Sequence, residues 1–210
     1  MVGKFPDSNM EFIYVVEVLN MESDIIIIGN GPSVLSQKQG DVIDRFRTVV
    51  RINNYAINGY ESHVGSKTDV WARSGSHKVN ERSDTQFRNV LWLLPLTAWQ
   101  DDHKIASIKR YMRVSTQTNT LIRENEIASL TEKYFENRTD VRPTTGLLSI
   151  FYFIEKFQRV SIFGFDFFDT HKKQLHYYDN DKKNKMKGHD IIFERYLVQK
   201  YAELGQIIVI

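Results

Sequence analysis

Cysteine is absent from the 210 residues, which excludes disulfides and thiolate metal sites and fits a reducing compartment. An excess of charge of one sign is missing too. The 28 basic and 26 acidic residues leave a formal +2, which gives no electrostatic footprint for a nucleic-acid partner. Long apolar runs are lacking: Phe12 to Leu19 and Ile25 to Ile28 fall far short of the roughly 20 residues a membrane span requires. Nor does the start of the chain read as a signal peptide, because Asp7 and Glu11 precede its apolar stretch and Glu17 interrupts it. These absences lead to the expectation of a soluble cytoplasmic protein with no transmembrane segment. Peripheral association with the inner face of a membrane stays compatible with them.

What is present is 41% hydrophobic content, enough for one packed core, with no internal repeat and no low-complexity linker. The expected organisation is an N-terminal extension over 1–23 and one domain over 24–210. Short β-branched runs alternate with longer polar-periodic segments, the pattern of parallel strands joined by crossover helices. Strands are expected at Asp24–Ile28, Thr48–Ile52, Asp69–Ala72, Val90–Leu94, Val160–Phe163 and Ile207–Ile210. Helices are expected at His103–Met112, Thr120–Phe135, Thr145–Phe157 and Asp190–Leu204. The fold class is therefore α/β: a single Rossmann-like domain with a mainly parallel sheet flanked by helices. One stretch stands apart, the charged loop His171 to Gly188, with lysines at 172, 173, 182, 183, 185 and 187. It reads as a solvated surface or as a lid over a bound ligand.

The first strand runs into Gly29-Asn30-Gly31-Pro32-Ser33, a glycine turn at the carboxyl end of a strand, where open α/β sheets bind ligands. Glycine lets backbone approach a phosphate, and exposed amides of a helix start favour an anion. A tight strand-to-helix turn with no ligand is the alternative. The dinucleotide fingerprint is excluded, since position 34, where GxGxxG requires glycine, is Val34. Downstream stand Arg51-Ile52-Asn53, then Val64-Gly65-Ser66-Lys67-Thr68, then Pro143-Thr144-Thr145-Gly146 opening a helix. Gly164-Phe165 ends a strand, and His176-Tyr177-Tyr178-Asp179 and Gly188-His189-Asp190 follow, with Glu194 five residues past His189.

In this order the segments resemble the four motifs of the animal-type sialyltransferases, over Asp24 to Leu204. GNGPS, RIN and VGSKT are similar to the large motif, and Pro143 to Gly146 with Gly164-Phe165 to the small one. His176 to Asp179 resembles the third motif, and His189 to Glu194 the very small motif. GNGPS and Gly188-His189-Asp190 are closer to bacterial sialyltransferases, so the chain resembles a compact bacterial member. The motif-linking cysteines of the animal enzymes are absent, their membrane anchor is expected to be absent as well, and Thr144 stands where serine is usual. The resemblance implies a GT-A-variant sheet and an inverting, metal-independent transfer of sialic acid from CMP-sialic acid to a glycan hydroxyl. The partners implied are that nucleotide-sugar donor and a glycan acceptor such as lipopolysaccharide or capsule, with no separate cofactor. A CMP-Kdo-dependent transferase and a non-catalytic CMP-binding protein are the alternatives.

For such a transfer, a general base with a pKa near the operating pH selects histidine, and His189 is the expected base. A helix start disfavours its imidazolium and Asp190 opposes that effect, so no net shift is assigned. His176, Tyr177 and Tyr178 are expected to hydrogen-bond the leaving phosphate, since no DxD triplet stands at a predicted strand end. A half-buried aromatic hairpin is the other reading of those three. The nucleotide cradle is expected from Asn30, Gly31, Ser33, Asn53, Thr144, Thr145, Gly146, Gly164 and Phe165. Arg51 reads as structural, Lys67 as equally a phosphate contact or a loop anchor, and Glu194 as non-catalytic.

Overall fold

A computed structural model describes residues 24–76, 78–82, 87–136, 138, 142–167, 175–178 and 188–210. The expected extension over 1–23, Asp179, and the lysine-rich loop apart from 175–178 and Gly188 lie outside these residues.

Seven strands form one sheet: β1 (Ile25–Ile28), β2 (Thr48–Ile52), β3 (Val70–Arg73), β4 (Asn89–Trp92), β5 (Thr118–Leu121), β6 (Val160–Phe163) and β7 (Ile207–Val209). Their order is β5-β4-β3-β2-β1-β6-β7, and every pairing is parallel. The four isoleucines of β1 are all at most 2% exposed, because parallel strands in the middle of a sheet are covered on both faces. Ile25 and Ile27 face one cluster and Ile26 and Ile28 another, as the two-residue period of a strand demands.

The helices are α1 (Gly40–Arg45), α2 (Glu61–Val64), α3 (Asp102–Val114), α4 (Glu124–Tyr134), α5 (Thr145–Phe157) and α6 (Ile191–Glu203). On one face α4, α5 and α6 pack together through Tyr134, Phe151 and Tyr201, with Tyr134 and Phe151 stacked at 4.5 Å and Phe151 edge-on to Tyr201 at 5.0 Å. The opposite face is covered by α1, α2 and the 3-10 turn Pro32–Ser36 at one end and by α3 at the other.

Each expected element is found within a residue or two, with one exception, while α1 and α2 were not among those expected. Thr118–Leu121, partly inside the expected helix Thr120–Phe135, is the edge strand β5, and α4 starts only at Glu124. Its residues alternate between exposed and half-buried, so the apolar run that betrays an interior strand is missing.

The functional consequence lies in the strand order. From β1 the chain steps one way through β2 to β5 and the other way to β6 and β7. The carboxyl ends of β1 and β6 therefore flank the switch point where open α/β sheets leave a crevice for a ligand.

Candidate active site

The two glycine turns meet at that switch point. A methyl on Gly29 would lie 2.3 Å from the Gly164 carbonyl oxygen and 3.0 Å from the Phe165 ring, and one on Gly146 would lie 2.9 Å from the same ring. Phe165 is thus wedged between the turns after β1 and before α5. Gly164 itself has φ +75°, and a methyl there would lie 2.4 Å from Val34. Close approach explains the glycine at 29, and close approach together with a positive φ the one at 164.

The amides of the first turn are spent within the fold. Gly29 donates to Phe163 O (2.7 Å), Gly31 to Gly164 O (2.9 Å) and Ser33 to the Asp166 carboxylate (2.9 Å). The expectation that Gly31 and Ser33 offer amides to an anion is corrected accordingly: Asp166, 133 residues away, occupies the Ser33 amide. Asp166 was legible in the sequence only as an acidic residue at the end of a strand.

We expect Gly29→Ala to lower stability by about 1–3 kcal/mol, since the new methyl meets backbone that has to move. At about 2–4 °C per kcal/mol for a chain of this size, the melting temperature should fall several degrees. An unchanged melt would show that the β1 and β6 turns separate at no cost.

Asn30 behaves differently. Its side-chain NH2 donates to Ile52 O (3.0 Å) and Asn54 O (2.9 Å), which fixes the amide, while its Oδ1 is buried without a partner among the described residues. The group Asn30 can offer a ligand is an acceptor. Asn53 sits in the left-handed region at φ +49°, which asparagine tolerates. Its carbonyl accepts from the Trp71 indole (2.7 Å) and its Oδ1 from the Ser74 amide (2.9 Å). Those two acceptors tie the ends of β2 and β3 together and are not available to a nucleotide.

Segment 175–178 folds against the same loop. Tyr177 is 2% exposed; its amide donates to Asn30 O (3.0 Å), and its hydroxyl donates to Ala56 O and accepts from Ala56 N. Burial pushes that phenol up to about 12. The Tyr178 hydroxyl donates to Asn54 O (2.6 Å). The expected role of these two hydroxyls as phosphate donors is therefore corrected: both protons are committed to backbone carbonyls, as in the aromatic-hairpin reading. His176 stacks on Tyr178 with its ring centroid 5.4 Å away and the planes 3° apart, which brings it to the Asn30–Asn54 side of the crevice. Asn54, the acceptor for both Asn30 and Tyr178, is a hub the sequence reading missed. A doubled asparagine after a strand was its only signal.

Arg51 is fully buried and structural, as expected. Its guanidinium donates to Val64 O (2.7 Å), Gly65 O (3.0 Å), Lys67 O and the Thr68 hydroxyl, and so holds VGSKT against β2. Asp44 receives the Ser66 and Lys67 amides on the other side (2.9 Å each). Burial would raise its carboxyl, yet these bonds outweigh it and hold the carboxyl below its ordinary range. Lys67 donates to Phe46 O and Arg47 O and pairs with Asp69 at 3.3 Å, which makes it the loop anchor.

The remaining residues gather at the starts of α5 and α6. Thr144 caps α5, its hydroxyl oxygen accepting from the Leu147 amide (3.1 Å). The same hydroxyl donates to one oxygen of Glu194 (2.7 Å), and the Thr144 amide donates to the other (2.7 Å). The expected nucleotide contact through the Thr144 hydroxyl is thus corrected, since its proton is used by a carboxylate. Thr145 and Gly146, first in α5, carry amides that have no partner inside the helix.

His189 lies just before α6 and bonds through Nδ1 to Arg142 O (2.6 Å). A carbonyl only accepts, so Nδ1 carries the proton of the neutral ring and Nε2 is left with its lone pair. Burial lowers the pKa of the ring, against the bond to Arg142 O, which raises it. Asp190 caps α6 at the Phe193 amide (3.0 Å) and faces Arg138 at 3.4 Å. Among the described residues no group of three His, Cys, Asp or Glu side chains is placed to hold a metal ion, and no helix is long and apolar enough to cross a membrane. The spacing Asp179-Asn180-Asp181 lies outside those residues.

The family described as glycosyltransferase family 29 (sialyltransferase) matches residues 23–205. The human CMP-N-acetylneuraminate-beta-galactosamide-alpha-2,3-sialyltransferase 4 is 29% identical over 214 aligned residues, covering 87% of this chain and 62% of the relative. The rat CMP-N-acetylneuraminate-beta-1,4-galactoside alpha-2,3-sialyltransferase is 26% identical, covering 85% of this chain and 54% of its own length. The chain thus spans less than two thirds of these relatives. Among solved structures, a mammalian sialyltransferase in complex with Gal-beta-1-3GalNAc-ortho-nitrophenol superposes with a TM-score of 0.66 at 17% identity, over 89% of this chain and 68% of that one. This likeness establishes a shared fold.

Proposed function

Because the chain belongs to glycosyltransferase family 29, the sialyltransferases, we propose that it moves sialic acid from CMP-sialic acid to a glycan hydroxyl by a metal-independent, inverting single displacement. His189 carries the reading. It is a neutral imidazole whose Nδ1 is held by Arg142 O, whose Nε2 is free to take the acceptor proton, and whose burial favours the basic form.

The rest of the crevice supports the same assignment. Asn30 Oδ1, a fixed and unpartnered acceptor, suits a ribose hydroxyl or the cytosine amine and not a phosphate. The leaving phosphate is met by His176 and by the Thr145 and Gly146 amides at the start of α5, where the helix dipole favours an anion. The names of the aligned relatives support a galactoside as the acceptor. Cytoplasmic residence, with the donor as the sole nucleotide requirement, belongs to the same proposal.

Two measurements test it. CMP at about 100 times its dissociation constant should stabilise the fold by about 2.7 kcal/mol. That corresponds to a melting shift of roughly 5–11 °C. With CMP-sialic acid and a galactoside, CMP release should persist in EDTA. A shift with NAD and none with CMP would overturn the donor assignment, and turnover with CMP-Kdo alone would replace sialic acid by Kdo. CMP binding without turnover of either donor on any glycan would make the chain a binding protein. Loss of turnover in EDTA would remove only the metal-free mechanism and direct attention to Asp179 and Asp181.

A further inference from the structure

Glu194 is 2% exposed, in the first turn of α6, and both of its carboxylate oxygens are bound by one residue, Thr144, fifty positions earlier. Burying a carboxylate is costly, and two helices can be joined at lower cost by apolar contact. Here burial pushes the carboxyl up to about 7 in spite of the two bonds from Thr144. A group held at that expense at the same helix start as His189 is a candidate for something beyond packing.

The geometry indicates what it does. Two residues before Thr144, Arg142 O accepts the Nδ1 proton of His189. Between them lies Pro143, buried, with a φ locked near −65° by its ring. His189 and Glu194 therefore grip the two ends of a short, stiff stretch, 142–144, from one helix start. Fixing Thr144 fixes the direction of the Arg142 carbonyl. The other charged groups near Glu194 do not replace it: Asp190 is turned to the Phe193 amide and to Arg138.

We propose that Glu194 is a positioning residue for His189: by holding Thr144 it keeps the Arg142 carbonyl on Nδ1 and so keeps Nε2 unprotonated and available. The role extends the assignment of His189 as the base, yet it is read out without turnover.

The test is the tautomer of His189, followed by nitrogen-15 imidazole resonances of the whole chain at pH 8, with His189→Ala identifying the signal. The unsubstituted chain should show the Nδ1–H form. In Glu194→Gln the amide turns an NH2 against one of the two Thr144 donors. The fraction with the proton on Nε2 should then rise roughly fivefold, the scale of one lost hydrogen bond. Thr144→Val removes the hydroxyl bond to Glu194 together with the cap on the Leu147 amide, while the Thr144 amide bond and the shape of the side chain are kept, so it covers the case in which Glu194→Gln does not fold. It should shift the ratio in the same direction. An unchanged tautomer ratio in either folded variant overturns the proposal. If the ratio shifts while the unsubstituted chain turns over no CMP-sugar, the positioning holds and the transferase assignment falls.

Discussion

His189→Ala is expected to bind CMP as before and to lose about 10²- to 10⁴-fold of transfer, or roughly 3 to 5.5 kcal/mol of barrier, the contribution typical of a positioned general base. The contact to Arg142 O lies on the ring side away from the reacting hydroxyl, so donor affinity should barely move. His176→Ala should instead weaken both donor binding and turnover, because its proposed contact to the leaving phosphate would be made in the ground state and strengthen as charge develops. The pH profile separates the two. Burial lowers the His189 pKa from its ordinary 6.5, so transfer should reach its plateau at a lower pH than an unperturbed imidazole would give. That acid limb should be missing from the residual activity of His189→Ala. Wild-type turnover in this variant at saturating substrates would place the base elsewhere, with Asp166 the next residue to test.

The same ionisations bear on stability with opposite signs. For His189 the unfolded chain takes up the proton first, so stability is lost as pH falls below 6.5 toward the lowered folded value. Glu194 is raised from 4.5 to about 7, so between those values the folded state holds the proton and the unfolded state does not. Its contribution is fully present below pH 4.5 and is lost as pH rises through about 7. Glu194→Gln should flatten the decline in stability across that window, measured by denaturant unfolding at fixed pH steps. The ionised form of Glu194, which accepts both Thr144 bonds, is thus the less stable one.

Arg51→Met is expected to cost about 3–5 kcal/mol of folding free energy, because several buried acceptors lose their donor at about 1–3 kcal/mol for each one left unsatisfied. Methionine fills much of the space but leaves the carbonyls of Val64, Gly65 and Lys67 and the Thr68 hydroxyl without their donor. For a chain of this size the melting temperature should drop by roughly 6–20 °C. Arg51→Lys should recover only part of the loss, since one ammonium cannot span the same set of acceptors. A change within about 0.5 kcal/mol on substitution by methionine, the scale of a neutral surface site, would mean that VGSKT is held by Asp44 and Lys67 alone.

Much of the fold was legible because its signals are local. The β1 isoleucines, the run Val160–Phe163 and the stretch Thr145–Phe157 with its threonine cap announce their elements within a few residues. The edge strand β5 did not, because half of its residues face water and carry no apolar signature. The site was legible in residue type and less so in role. His189 keeps the lone pair of Nε2 and Asn30 an acceptor without a partner among the described residues, whereas Tyr177, Tyr178, Ser33 and Thr144 have donors already taken.

The sequence by itself determined the parallel α/β class, the order of the four motifs along the chain and hence the family. The class depends on hydrophobic period and turn chemistry, and the family on the likeness of the four motifs to those of known sialyltransferases. Only the tertiary structure decided which polar groups remain for a ligand. A donor or acceptor is available when nothing in the fold has claimed it, and the claimants sit far away in the chain: Asp166 for the Ser33 amide, Glu194 for Thr144, Asn54 for Asn30. Such pairings arise when the strand order brings the ends of β1, β2 and β6 together at one edge of the sheet. No window of sequence contains both partners.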